Sequence, residues 1–150
     1  MINLIKIDNK EFDDSQLPIL FHKPEYARYF YFLVYNELSV LRFSAQSEID
    51  PIVKEIGNVI AIGIDQSVGF WDVSKNEISQ TISLTSFFYD FYFSEKYIFI
   101  VCEVDVVILQ INTLIEYKSL SFSEYIDHIE LNDDSILINF INNDIETILI

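Results

Sequence analysis

The chain has 150 residues, enough for one domain, and 51% of them are hydrophobic, so a substantial core is available. Its formal net charge is -15, from nine Lys and Arg against 24 Asp and Glu. A surface of that sign repels nucleic-acid phosphates and anionic lipid, which argues against both as partners, and it attracts basic proteins.

The opening MINLIKID carries Lys6 and Asp8 and has no apolar core of the length a secretory signal needs. The longest apolar runs, Tyr29–Tyr35 and Tyr97–Cys102, fall far short of the ~20 residues of a spanning helix. The lone cysteine, Cys102, follows Phe99, Ile100 and Val101 and reads as a buried, inert thiol. These features predict a single domain over residues 1–150 in a reducing cytoplasm.

Residues 2–7 predict a short first strand. The polar stretch 9–18, NKEFDDSQLP, reads as a loop closed by Pro18, and 19–21 as another short strand before His22-Lys23-Pro24. From Arg28 an internal repeat begins. Residues 28–44, RYFYFLVYNELSVLRFS, overlay 58–74, NVIAIGIDQSVGFWDVS, at an offset of 30 without a gap. Each is a pair of apolar runs around a polar break, Tyr35-Asn36-Glu37 in one and Asp65-Gln66-Ser67 in the other. That is the pattern of a β-hairpin.

A third copy, YIFIVCEVDVVILQI, occupies 97–111 with the break Glu103-Val104-Asp105. A fourth occupies 136–149 with the break Asn142-Asn143-Asp144. Between the first two copies, Asp50-Pro51 and Gly57 bracket IVKEI with helix-like punctuation. The β-branched Ile52, Val53 and Ile56, and the repeat itself, place a strand there instead. Further strands are expected at 78–84, 88–93, 97–102, 106–111, 115–122, 126–131, 136–141 and 145–149. The last copy then holds three strands, and residues 2–7 are expected to supply its missing outer strand by pairing the two termini.

The predicted fold is therefore all-β: four degenerate β-meander repeats, small or partial β-propeller-like, with a β-sandwich of stacked meanders as the alternative. The second unit carries the most specific signal, an acidic inner turn and the pair Trp71-Asp72 closing its third strand. In this it resembles a blade of the WD-repeat β-propellers. The pattern covers 28–149, but the other units read Leu41-Arg42, Leu109-Gln110 and Ile148-Leu149 at that position, and the family's Gly-His pair is absent.

No motif for chemistry emerges. His22 and His128 lie far apart, and His128 beside Asp127 reads as a surface strand residue. No serine sits in a glycine elbow and no glycine-rich phosphate loop occurs. Asp13-Asp14 and Asp133-Asp134 lack the alternating oxygens and central glycine of a calcium loop. No enzyme activity, catalytic residue, metal or cofactor is expected. Trp71 is expected to pack between sheets. The run 86–93, SFFYDFYF, must place rings on both faces of a strand.

Charge is what remains. After Lys118 come seven acids, Glu124, Asp127, Glu130, Asp133, Asp134, Asp144 and Glu146, and no base. The candidate partner-binding residues are Glu124, Tyr125, Asp127, Glu130, Asp133 and Asp134. In composition, though in no motif, the chain resembles bacterial immunity proteins. That likeness implies inhibition of a basic partner, a toxin domain such as a nuclease, by covering its active site with phosphate-mimicking carboxylates. The alternative expectation is a propeller-like scaffold or adaptor for protein–protein interaction without inhibition.

Overall fold

The computed structural model describes residues 1–150 and divides them into two compact units, Met1–Ser83 and Leu84–Ile150. In the first, β1 (Ile2–Ile7), β2 (Tyr29–Tyr35) and β3 (Leu38–Ala45) form an antiparallel sheet in that order. Its second sheet is the meander β4 (Ile52–Ile56), β5 (Val59–Ile64), β6 (Ser67–Asp72) and β7 (Glu77–Ser83). The turns adopt positive φ: Asn36 (φ 48) and Glu37 (φ 70) join β2 to β3, and Asp65 (φ 54) begins the β5–β6 turn. Consecutive positive φ values match the right-handed twist of a tight hairpin.

The second unit repeats the plan. β8 (Phe88–Phe93), β9 (Tyr97–Cys102), β10 (Asp105–Gln110) and β11 (Glu116–Ser121) form one four-stranded meander, and β12 (Ile126–Leu131), β13 (Ser135–Phe140) and β14 (Ile145–Leu149) a three-stranded one. The predicted all-β fold of four meander sheets is what the chain adopts, and IVKEI is the strand β4. Even the irregularities recur. The register slips between Phe70 and Trp71 in β6–β7, and between Ile108 and Leu109 in β10–β11. It slips again between Phe88 and Asp90 in β8–β9 and between Ile126 and His128 in β12–β13. Each pair of bulges is separated by the same interval that relates the second and third sequence copies, so the repeat is one of backbone geometry as well as apolar pattern.

Each unit has its own core. In the first, Tyr31, Leu33, Leu41 and Phe43 of one sheet meet Ile60, Ile62, Ile64 and Trp71 of the other. Trp71 is only 3% exposed, the packing role expected of it. Gly69 faces Leu20 so closely that a Cβ at 69 would overlap the leucine side chain. In the second unit Phe99, Val101, Val106 and Ile108 pack with Ile126, Ile129, Ile136, Ile138 and Phe140. Every one of these positions alternates along its strand with a less buried residue or falls on a strand buried on both faces.

Three expectations are corrected. Residues 2–7 do form a strand, but it pairs with β2 from Ile2↔Tyr35 to Ile7↔Phe30 and supplies nothing to the last sheet. Its sheet partner is thus β2, within the first unit. Residues 9–14, read as loop, form the helix α1 (Asn9–Asp14), opened by a capping box in which the Asp8 carboxylate accepts from the Glu11 N–H and the Glu11 side chain accepts from the Asp8 N–H. Residues 19–21 form no strand beyond one parallel bridge, Ile19↔Arg42. No helix of the chain is long and apolar enough to cross a membrane.

Candidate interaction surface

The second unit carries twelve Asp and Glu against two Lys, a net of -10. Nine of those carboxylates are exposed; Asp90 and Glu103 are half-buried and Asp105 is buried. The sheet β12–β14 separates the six sequence-predicted residues. Glu124 and Tyr125 lie at the entry to β12, where the Tyr125 carbonyl accepts from the Ile141 N–H at 3.0 Å. Asp133 and Asp134 lie at the opposite end, in the β12–β13 turn, where the Asp134 carbonyl accepts from the Ile150 N–H. Asp127 and Glu130 sit between them on the exposed positions of β12. All six are exposed, yet they span the length of a strand, ~17 Å, rather than converging on one point.

What the fold does bring together is the β12 entry and the aromatic strand β8. Tyr89 and Asp127 are the extra residues of the two equivalent bulges, positions where an unpaired residue is re-aimed away from the ladder. Burial raises the Tyr89 phenol above its ordinary range, and the charge of Glu103 and the Tyr125 phenol push it further. Burial likewise raises Tyr92, seconded by the charges of Asp90 and Asp127. The run 86–93 splits as its alternation requires. Phe91 is fully buried, while Phe87, Tyr89 and Phe93 are exposed. The backbone joins the two segments, the Glu103 N–H donating to the Phe87 carbonyl and the Ile126 N–H to the Glu103 carbonyl, so Tyr89 and Tyr125 flank the Glu103 turn on a surface that also carries Tyr92, Asp90 and Asp127. The sequence marked both halves separately; their meeting depends on sheet packing no single-strand pattern contains.

Beside His128, the Asp127 carboxylate lies 2.6 Å from Nδ1, and both side chains are about half exposed (60% and 47%). It is a contact between neighbouring residues on the exposed side of β12, where water competes for both groups. Asp105 is a structural node. Its carboxylate accepts from the Thr85 and Ser86 hydroxyls at 2.7 Å and the Ser121 hydroxyl at 2.6 Å, tying the lead into β8, the start of β10 and the end of β11. Burial acts to raise its pKa, but the Ser121, Ser86 and Thr85 hydroxyls outweigh that and hold it below the ordinary carboxylate value. Cys102 is buried and its thiol is pushed up to about 12, first by burial and then by the charges of Asp105 and Glu103, so it is inert as expected. No group of three or more His, Cys, Asp or Glu is placed to hold an ion.

No family model and no curated protein matches the sequence. Solved structures do match in fold. The β-propeller domain of Myceliophteria thermophila Cps50 (Swd1) aligns at TM-score 0.57 and 17% identity, over 69% of this chain and 35% of that one. The computationally designed Ika4 protein aligns at 0.61 and 10% identity, over 91% and 92% of the two chains. Hsv2 of Kluyvelomyces marxianus aligns at 0.51 and 13% identity, over 83% and 42%. The chain thus spans about a third of the Cps50 domain, and at these identities the likeness is one of fold: an all-β chain of propeller-like blades.

Proposed function

We propose that the protein is an interaction module, a scaffold of propeller-like blades that holds a basic protein partner against its second unit and performs no chemistry of its own. The observation that supports this reading is the tyrosine and carboxylate surface of Tyr89, Tyr92, Tyr125, Asp127 and Glu103 on a unit of net charge -10. Tyrosines give large contact area at little entropic cost, and uncompensated carboxylates steer a basic partner and fix its orientation. Scaffolding fits better than plugging a toxin's cleft. The solved structures that match in fold are β-propeller proteins, which favours a module built of blades over a dedicated toxin plug.

The test is purification of the tagged protein from its native cells beside a variant carrying Asp127→Lys and Glu130→Lys, with mass spectrometry of what stays bound. A basic protein recovered with the parent and lost from the variant supports the module. Equal recovery with both removes the surface from the account. If the recovered partner is an enzyme, its activity in the complex separates the two classes: a scaffold leaves it active, an inhibitor silences it.

A further inference from the structure

The four sheets differ in what covers their third strand. β6 has β7 along its outer edge and β10 has β11. β3 has no fourth strand, but the chain's own residues 18–21 run beside it: the Leu20 N–H donates to the Arg42 carbonyl, the Arg42 N–H to the Pro18 carbonyl and the Ser44 N–H to the Phe21 carbonyl. β14 has nothing equivalent. Its sheet ends there.

The register fixes which groups that edge presents. Phe140 donates to the Asp144 carbonyl and Ile150 to the Asp134 carbonyl. With the pairs Ile138↔Glu146 and Ile136↔Ile148 between them, the even-numbered residues of β14 are the ones bonded to β13. The N–H and C=O groups of Ile145, Thr147 and Leu149 therefore point outward. One of these is engaged by a side chain: Lys118 Nζ donates to the Leu149 carbonyl at 3.3 Å. Ile145 and Leu149 are 61% and 73% exposed, whereas the counterparts of Ile145 in β6 and β10, Val68 and Val106, are buried. An exposed edge of this kind, engaged by a single lysine at its far end, is a template for another strand.

At the start of the edge lies a cavity of about 380 Å³ lined by Phe122, Glu124, Phe140, Asp144, Ile145 and Glu146, with Ser123. Three carboxylates surround it, and the Phe122 and Phe140 rings meet edge to face at 5.4 Å. Carboxylates over aromatic rings suit a guanidinium or ammonium. We propose that β14 is a docking edge for an extended segment of a basic protein partner. The segment adds as a fourth strand, bonding to Ile145, Thr147 and Leu149, and seats an Arg or Lys in the cavity between Glu124, Asp144 and Glu146. This rests on the interaction-module reading and names a second contact for it.

The test uses the full chain and a synthetic peptide of alternating threonine and valine ending in arginine, with the same peptide ending in glutamate as control. Addition slows amide exchange at Ile145, Thr147 and Leu149, and only with the arginine peptide. Thr147→Pro removes an outward N–H that β13 does not use, a change edge strands accommodate, and is expected to weaken binding by ~10-fold or more. Glu124→Gln with Glu146→Gln, both exposed, is expected to cost ~5–10-fold for the arginine peptide and nothing for the control. Equal affinity of parent and both variants, or no protection at those three amides, overturns the proposal. So does self-association of the parent in sedimentation that Thr147→Pro abolishes, because the occupant is then a second copy. Loss of the native partner with Asp127→Lys but not with Thr147→Pro overturns the edge proposal while leaving the module reading intact.

Discussion

Three hydroxyls converge on Asp105, a residue only 5% exposed: two from the lead into β8, Thr85 and Ser86, and one from the end of β11, Ser121. Asp105→Ala strands those donors, and each hydrogen bond to a charged acceptor is worth ~1.5–3 kcal/mol. Part is recovered by water at the exposed Ser121 end, so a loss of about 2–4 kcal/mol is expected, read from amide exchange of β10. The pH dependence follows from sign. The folded-state pKa lies below the ordinary 3.8, so the contribution is full above that value and is lost as the pH falls through the folded pKa. Asp105→Asn should therefore differ from the parent in stability at neutral pH and approach it in strong acid. A difference independent of pH would show that the carboxylate charge is not what the hydroxyls hold.

At the scale of elements, Gly69 and α1 show what limits reading the chain by pattern. Gly69 sits mid-strand in β6 because the Leu20 side chain occupies the space a Cβ would take. Gly69→Ala should cost ~1–3 kcal/mol by overpacking, reported by fluorescence of the single tryptophan, Trp71, in the same core. An unchanged midpoint would mean that Leu20 moves aside freely. Asp8→Ala, which opens the capping box of α1, should cost ~1 kcal/mol in the same assay. The hairpins were legible because alternation and a polar break are local: Asp65-Gln66 and Asn142-Asn143-Asp144 fall between paired strands, and Ser67 opens β6. Helix α1 was not, since six residues with one buried side chain, Phe12, carry no helical period. The pairing of β1 was misplaced for a related reason. A strand of this length shows which face is apolar but not which edge it seeks, and the partner β2 lies beyond a helix and a long connection. On the surface side, the acids of β12 and the tyrosines of β8 were each visible in sequence, but only two matching bulges and the packing of two sheets bring Tyr89 toward Tyr125 and Tyr92 toward Asp127.

Over the whole molecule, the repeat and the charge act on different levels. The repeated meander makes the fold: alternating burial, hairpin turns and recurring bulges produce four sheets with little glycine, three residues in 150. Charge then distinguishes the two units, since the second carries -10 of the total -15. Association with a basic partner should slow as salt rises from ~0.05 to ~0.3 M, because exposed charges are screened beyond ~8–10 Å at physiological ionic strength. A rate indifferent to salt would leave the acids as a solubility device. The central claim, that the partner is held on the tyrosine and carboxylate surface of the second unit, is tested most directly by the amide-exchange footprint of the purified complex. Protection across residues 86–93 and 124–130, absent from the free protein, is the expected result. Protection confined to residues 1–83 would contradict it.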